Sequence, residues 1–147
     1  MFDKRAIRGS CGVRPAHSIP GYELAIEQGA DIIECDLAVT QDLVLLCLHD
    51  EFLSTVTNVS EVTEFADRKR RIGTRTDWWT IDFTLEEIKR LGLIQERSVR
   101  DPSFNNQFQI PTFEEYINGR PQFKYSLIHF IYSCTKCKQN DWNISGN

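Results

Sequence analysis

The stretch GADIIECDLAVTQDLVLLCLHDE, residues 29–51, constrains the fold of this chain more than any other segment. It holds two short runs, a β-branched one at Ile32–Cys35 and a continuous apolar one at Val44–Leu48, joined by a turn at Thr40-Gln41-Asp42. Runs that are apolar on both faces suit strands of a parallel sheet covered by helices. The flanking sequence agrees. Lys4 to Arg8 reads as a short strand entering a turn at Gly9–Gly12. Ser18 is placed to cap a helix with Pro20 in its first turn, which runs through Tyr22, Leu24, Ala25 and Ile26 to Gln28-Gly29. Strand, helix and strand in this order, with short connections, predict an α/β fold.

Downstream, Thr84-Leu-Glu-Glu87 has the form of a capping box ahead of Leu85, Ile88 and Leu91, and Pro111-Thr112-Phe-Glu-Glu115 opens a second helix in the same way. The polar stretch before them, with Gly73, Trp78 and Trp79, reads as a long functional loop or insertion. From Asn118 onward the character changes to an aromatic-apolar knot followed by a polar tail.

The apolar runs carry polar residues at their ends, where a parallel α/β fold gathers its catalytic groups. Glu34 and Asp36 are two apart, so both face the same side of a strand. Two like charges so close are relieved by a bound cation or a shared proton. An oxygen-only ligand set suits a hard ion, Mg²⁺ or Ca²⁺. His49 closes the next run and is placed to pass a proton; Arg8 closes the first strand and is placed to grip an anionic oxygen. Taken singly, each also reads as a turn or structural residue. Together they suggest metal-assisted phosphoryl chemistry, with Arg8 on the phosphate, Glu34 and Asp36 on the metal and His49 on the proton.

Other classes find less support. The net charge is -4 and no large basic patch is present, which argues against nucleic acid. The basic cluster DRKRRIGTR at 67–75 reads as a solvated loop, with anion steering as the alternative. No apolar run approaches the ~20 residues needed to span a bilayer, and MFDKRAIRG has no apolar signal-peptide region. The five cysteines form no regular framework, and Cys134-Thr-Lys-Cys137 without a second pair is weak support for zinc. Sequons at Asn58 and Asn143 matter only in a secreted chain. Compartment and oligomeric state stay open.

The segment RGSCGVRPAHSIPGYELAIEQGADIIECDLAVTQDLVLLCLHDE resembles the opening of the glycerophosphodiester phosphodiesterase family, whose pattern is roughly HRG…PE(N/H)(T/S)…GAD…E-x-D…T-D…HD. The later ADRKR, IDFTLEEIKRL and IPTFEEYI are similar to the same family, so the resemblance covers about residues 5–117. It implies a TIM (β/α)8 barrel of the PLC-like phosphodiesterase type. It further implies divalent-metal-dependent hydrolysis of glycerophosphodiesters to sn-glycerol 3-phosphate and an alcohol, a step of lipid metabolism. Arg8 matches the family's phosphate-binding arginine, Glu34 and Asp36 its metal ligands for Ca²⁺ or Mg²⁺, and His49 the second of its two acid–base histidines.

Several positions depart from that pattern. Ile7 stands where the family has its first histidine, and Ala16 where it has a glutamate. His17 is an accepted variant at its own position and does not replace the missing histidine. A third carboxylate normally comes from a later strand, in a region expected to lie outside this chain. An eight-stranded barrel needs roughly 200–250 residues, so 147 residues predict a truncated, partial barrel. The expected organisation is the family's N-terminal part over 1–117, a loop or insertion at about 51–83 and a non-matching tail at 118–147. A fragment, a splice form and an imperfect gene model all fit such a chain. Three readings follow: an impaired phosphodiesterase acting on a small glycerophosphodiester, a non-catalytic relative binding a divalent ion or phosphate, and a chain without biochemical role. Spider-venom phospholipase D toxins share the barrel, but ADRKR and DFTLEEIKRL fit the glycerophosphodiesterase branch better.

Overall fold

The computed structural model describes residues 4–119 with their side chains and residues 125–130 by their backbone. Its first strand, β1 (Arg5–Ile7), leads through a turn to helix α1 (Ile19–Glu27), then to β2 (Ile32–Val39). Local chemistry sets these boundaries as expected. The Ser18 hydroxyl accepts the Gly21 amide at 3.1 Å, Pro20 occupies the first turn, and Gly29 follows the helix at φ 81°. The turn between β1 and α1 packs tightly: a Cβ on Gly9, at φ 74°, would stand 2.9 Å from the Gly21 carbonyl carbon.

Strand β2 is central. β1 lies parallel to it, with Arg5 opposite Ile32 and Ile7 opposite Glu34. On the other edge a further strand, Tyr125–Phe130, runs parallel to β2 over Ile32 to Leu37. That strand lies inside the stretch expected to form a separate tail. The rest of that stretch, including the Cys134–Cys137 pair and the Asn143 sequon, lies outside the described residues.

Two expectations change here. β2 extends to Val39, so Glu34 and Asp36 lie within an eight-residue strand rather than at its end. The second apolar run forms β3 (Leu45–Cys47), which turns back antiparallel on β2, pairing Leu37 with Cys47 and Val39 with Leu45. The turn explains the reversal. Thr40 donates its amide to Val44 O at 3.0 Å and accepts the Val44 amide on Oγ1 at 2.9 Å, and Leu43 takes φ 65°. Such a closed turn admits only a hairpin.

Residues 51–83 contribute to a core shared with the segments on either side. Leu53, Val56, Val59, Phe65, Trp78 and Phe83 pack together and continue into Leu46, Leu48, Ile88, Leu93 and Ile110. Trp78 Nε1 donates to Phe65 O at 2.6 Å. A small antiparallel hairpin of β4 (Arg70–Ile72) and β5 (Arg75–Asp77) stands on its edge. The helices α2 (Leu85–Ile88) and α3 (Phe113–Asn118) each begin with a complete capping box, from Thr84 with Glu87 and from Thr112 with Glu115. A second core of Tyr22, Ala25, Ile33, Cys35, Leu37, Cys47 and Tyr116 lies between α1, α3 and the sheet.

Candidate active site

Arg8, just past β1, ties several acids together. Its backbone amide donates to Glu34 Oε2 at 3.1 Å, its Nε lies 3.4 Å from Asp36 Oδ2, and its Nη1 donates to Glu96 Oε1 at 3.1 Å. Arg8 adopts φ 60° and His17 φ 61°, and the His17 amide donates to Arg8 O at 3.1 Å. Left-handed backbone at two non-glycine residues is a cost of order 1–3 kcal/mol each, held in place by the packed surroundings.

His17 is buried and places Nε2 3.2 Å from Asp36 Oδ2, while its Nδ1 lies 2.7 Å from the Tyr22 hydroxyl. The two ring nitrogens thus face Asp36 and Tyr22 on opposite sides, which orients the ring. Burial alone would push this imidazole down, but the Asp36 carboxylate and the Cys35 thiol close to it raise it above its ordinary 6.5.

Glu34 and Asp36 share one face of β2, both largely buried. Their environments drive them apart. Burial, together with the hydrogen bond and charge of Asp36, raises the Glu34 carboxyl above its usual range. Burial also pushes Asp36 up, but hydrogen bonds with His17 and Glu34 and the nearby charges of His17 and His49 outweigh it, holding Asp36 at about 2.

His49 reaches this face by a different route from the one expected. It does not end a parallel strand; it follows the antiparallel β3, and the Leu48 amide donates to Asp36 O at 3.0 Å. The hairpin brings His49 within electrostatic reach of Asp36. Its Nδ1 lies 2.8 Å from Asp50 Oδ1, and its side chain is about one-third exposed, so Nε2 is the nitrogen available to a substrate. Ile7, opposite Glu34 in the register, is 62% exposed. Ala16, by contrast, is buried.

Glu96 and the contact of His17 with Asp36 escaped sequence reasoning. Glu96 is 88 residues from Arg8 and no local spacing links them. His17 sat within a motif but beside no other chemical group in sequence. The basic cluster at 67–75 is engaged elsewhere: Arg68 pairs with Glu87 and stacks 4.0 Å over Phe83, Arg70 pairs with Asp82, and Arg75 pairs with Asp77 while lying 3.5 Å over Phe52. Asn58, one of the sequon residues, accepts the Gly92 amide on Oδ1 at 2.9 Å. A cleft of about 870 Å³ lies away from these acids, between the start of α1 and residues 106–111.

Among the described residues no group of three or more His, Cys, Asp or Glu side chains is arranged to hold a metal ion. The donor chemistry of Glu34 and Asp36 nonetheless fits a hard cation as two of its ligands. No helix among the described residues is long and apolar enough to cross a membrane.

A mostly parallel sheet with one antiparallel strand, backed by helices, carries an arginine and two acids of the candidate site. Solved TIM-barrel structures match it. A glycerophosphodiester phosphodiesterase from Agrobacterium tumefaciens superposes with a TM-score of 0.64 at 25% identity, over 88% of this chain and 47% of that one. A Thermotoga maritima glycerophosphodiester phosphodiesterase gives 0.58 at 19% identity, over 89% and 45%. In sequence, the chain is 46% identical over 117 residues to a glycerophosphodiester phosphodiesterase of Arabidopsis thaliana, covering 77% of this chain and 32% of the relative. A Haemophilus influenzae glycerophosphodiester phosphodiesterase is 35% identical over 128 residues, covering 78% and 34%. The family model for the glycerophosphoryl diester phosphodiesterase family matches residues 8–128, and the chain belongs to that family. It spans about a third of the length of these curated relatives.

Proposed function

We propose that the face formed by Arg8, Glu34, Asp36 and His49 is the phosphate-facing part of a glycerophosphodiester phosphodiesterase site, impaired in this chain by the loss of one proton-transfer residue. The observation that carries this reading is Arg8 joining Glu34 and Asp36 beside a hairpin in which Leu48, the neighbour of His49, donates its amide to Asp36 O. Arg8 would exchange its contact with Glu96 for two phosphate oxygens, a swap of one anion for another on the same guanidinium. His49, oriented by Asp50, would hand a proton to the departing alkoxide from Nε2. His17 would hold Asp36 in place without touching substrate. Glu34 and Asp36 would hold a divalent ion, Ca²⁺ or Mg²⁺, which when bound offsets charge on the phosphoryl oxygens. The substrate class is a small glycerophosphodiester, giving sn-glycerol 3-phosphate and an alcohol; a related phosphodiesterase of Oleispira antarctica has been solved with sn-glycerol 3-phosphate as its product. We assign residues 51–83 as the family's insertion and 1–117 as its N-terminal part.

A second reading, a relative that binds a divalent ion or phosphate without cleavage, draws on Ile7. An exposed isoleucine cannot transfer a proton. Hydrolysis of glycerophosphocholine with Ca²⁺ or Mg²⁺ separates the two. Slow turnover that His49→Ala abolishes supports the enzyme, whereas ion binding without turnover supports the binder.

A further inference from the structure

Cys35 and Cys47 take no part in the chemistry proposed above, yet their Sγ atoms lie 2.8 Å apart. Both side chains are fully buried. They sit on adjacent antiparallel strands. Cys47 is opposite Leu37, so Cys35 is its diagonal neighbour, within side-chain reach across such a pair. Because side chains alternate along a strand, Cys35 faces away from Glu34 and Asp36, into the core with Tyr22, Leu37 and Tyr116. Cys47 is held from its other side, its amide donating to Pro111 O at 2.9 Å.

We propose that Cys35 and Cys47 are an oxidisable pair that closes to a disulfide across the β2–β3 hairpin. The bond would fasten the strand bearing Glu34 and Asp36 to the strand that delivers His49. A disulfide needs sulfurs about 2.05 Å apart, so closure from the observed approach takes less than ~1 Å of side-chain movement. The oxidant is a small-molecule disulfide such as oxidised glutathione. One cysteine, as thiolate, attacks it, forming a mixed disulfide and releasing one glutathione thiolate. The second cysteine thiolate then attacks the protein sulfur of that mixed disulfide, forming the Cys35–Cys47 bond and releasing the second glutathione thiolate. Two protons leave the cysteines and end on the two glutathione thiols; the pair is oxidised by two electrons and the glutathione disulfide is reduced. Burial sets the rate, because the reagent enters only when the hairpin opens locally. The part-exposed Cys11 is an internal standard for reagent access.

The test replaces two of the other cysteines (Cys134→Ser, Cys137→Ser), keeps Cys11 as the standard, and equilibrates the folded chain with oxidised and reduced glutathione. Alkylation, proteolysis and mass spectrometry then map the thiols. The expected result is a cross-linked peptide pair carrying Cys35 and Cys47, lighter by two hydrogens than the reduced peptides. The melting temperature should rise by roughly 5–10 °C on oxidation, reversibly with dithiothreitol, given the short loop enclosed. Neither change should occur in Cys35→Ser or Cys47→Ser. If the double variant does not fold, the same mapping on the original sequence serves. Cys35 and Cys47 remaining reduced under conditions that glutathionylate Cys11, or carrying only mixed disulfides, would overturn the proposal. Both readouts are thiol chemistry and melting, so they stand apart from the phosphodiesterase reading.

Discussion

Arg8 and His17 share an unusual backbone: both are left-handed, and the His17 amide is hydrogen-bonded to Arg8 O. That pairing aims both side chains at one carboxylate, Asp36. Removing His17 should therefore loosen Asp36 without touching substrate. His17→Phe, close in size, is expected to weaken Ca²⁺ or Mg²⁺ binding ~10–100-fold by calorimetry while the circular dichroism spectrum stays unchanged. Unchanged affinity in a folded variant would remove His17 from the site. Ile7 offers the complementary experiment. It lies opposite Glu34 and is exposed, so an imidazole fits there without disturbing the core. Ile7→His is expected to raise glycerophosphocholine turnover ~10²–10⁴-fold over the original chain, the usual contribution of a positioned acid–base group. No gain in a variant that still binds the ion would show that proton transfer is not what limits this chain.

Among the elements, the 51–83 unit hangs on one buried acid. Asp77 ends β5, accepts Ser54 Oγ at 2.7 Å and the Trp78 amide at 2.9 Å, and pairs with Arg75 at 2.8 Å. Burial pushes its carboxyl up, but the hydrogen bonds from Ser54, Arg75 and Trp78 outweigh it and lower it below its ordinary 3.8. A carboxyl depressed in the folded state stabilises the fold above its unfolded value, and that stability is lost as pH falls through the folded value. Acidification below about pH 4 should destabilise the original chain, and Asp77→Asn should flatten this acid limb while lowering stability by ~1–3 kcal/mol at neutral pH. Denaturant titrations at several pH values check it; an unchanged acid limb would clear Asp77. Elements of this chain were legible in sequence to the extent that their signals are local. The boxes at Thr84 and Thr112 and the cap at Ser18 close within four residues, so they read directly. The direction of β3 did not, because a continuous apolar run carries no sign of whether its strand lies parallel or antiparallel. The residues of the candidate site were visible for the same local reason, whereas Glu96 and the His17–Asp36 contact depend on folding distant segments together.

At the scale of the whole molecule, β2 is paired on both edges, but among the described residues nothing pairs with the outer edge of β1 or of the strand at 125–130. In a closed barrel each of those edges would meet a further strand. An open parallel edge presents unpaired amides and carbonyls, and Ile7 adds exposed apolar surface beside it. A second copy of the chain offers the same groups, so edge-to-edge pairing between copies relieves both at once. The 147-residue chain is therefore expected to self-associate, with sedimentation velocity showing a mass that climbs with concentration and falls when mild denaturant is added. A short chain that sediments as a monomer throughout would mean that its edges are covered by residues of the same chain.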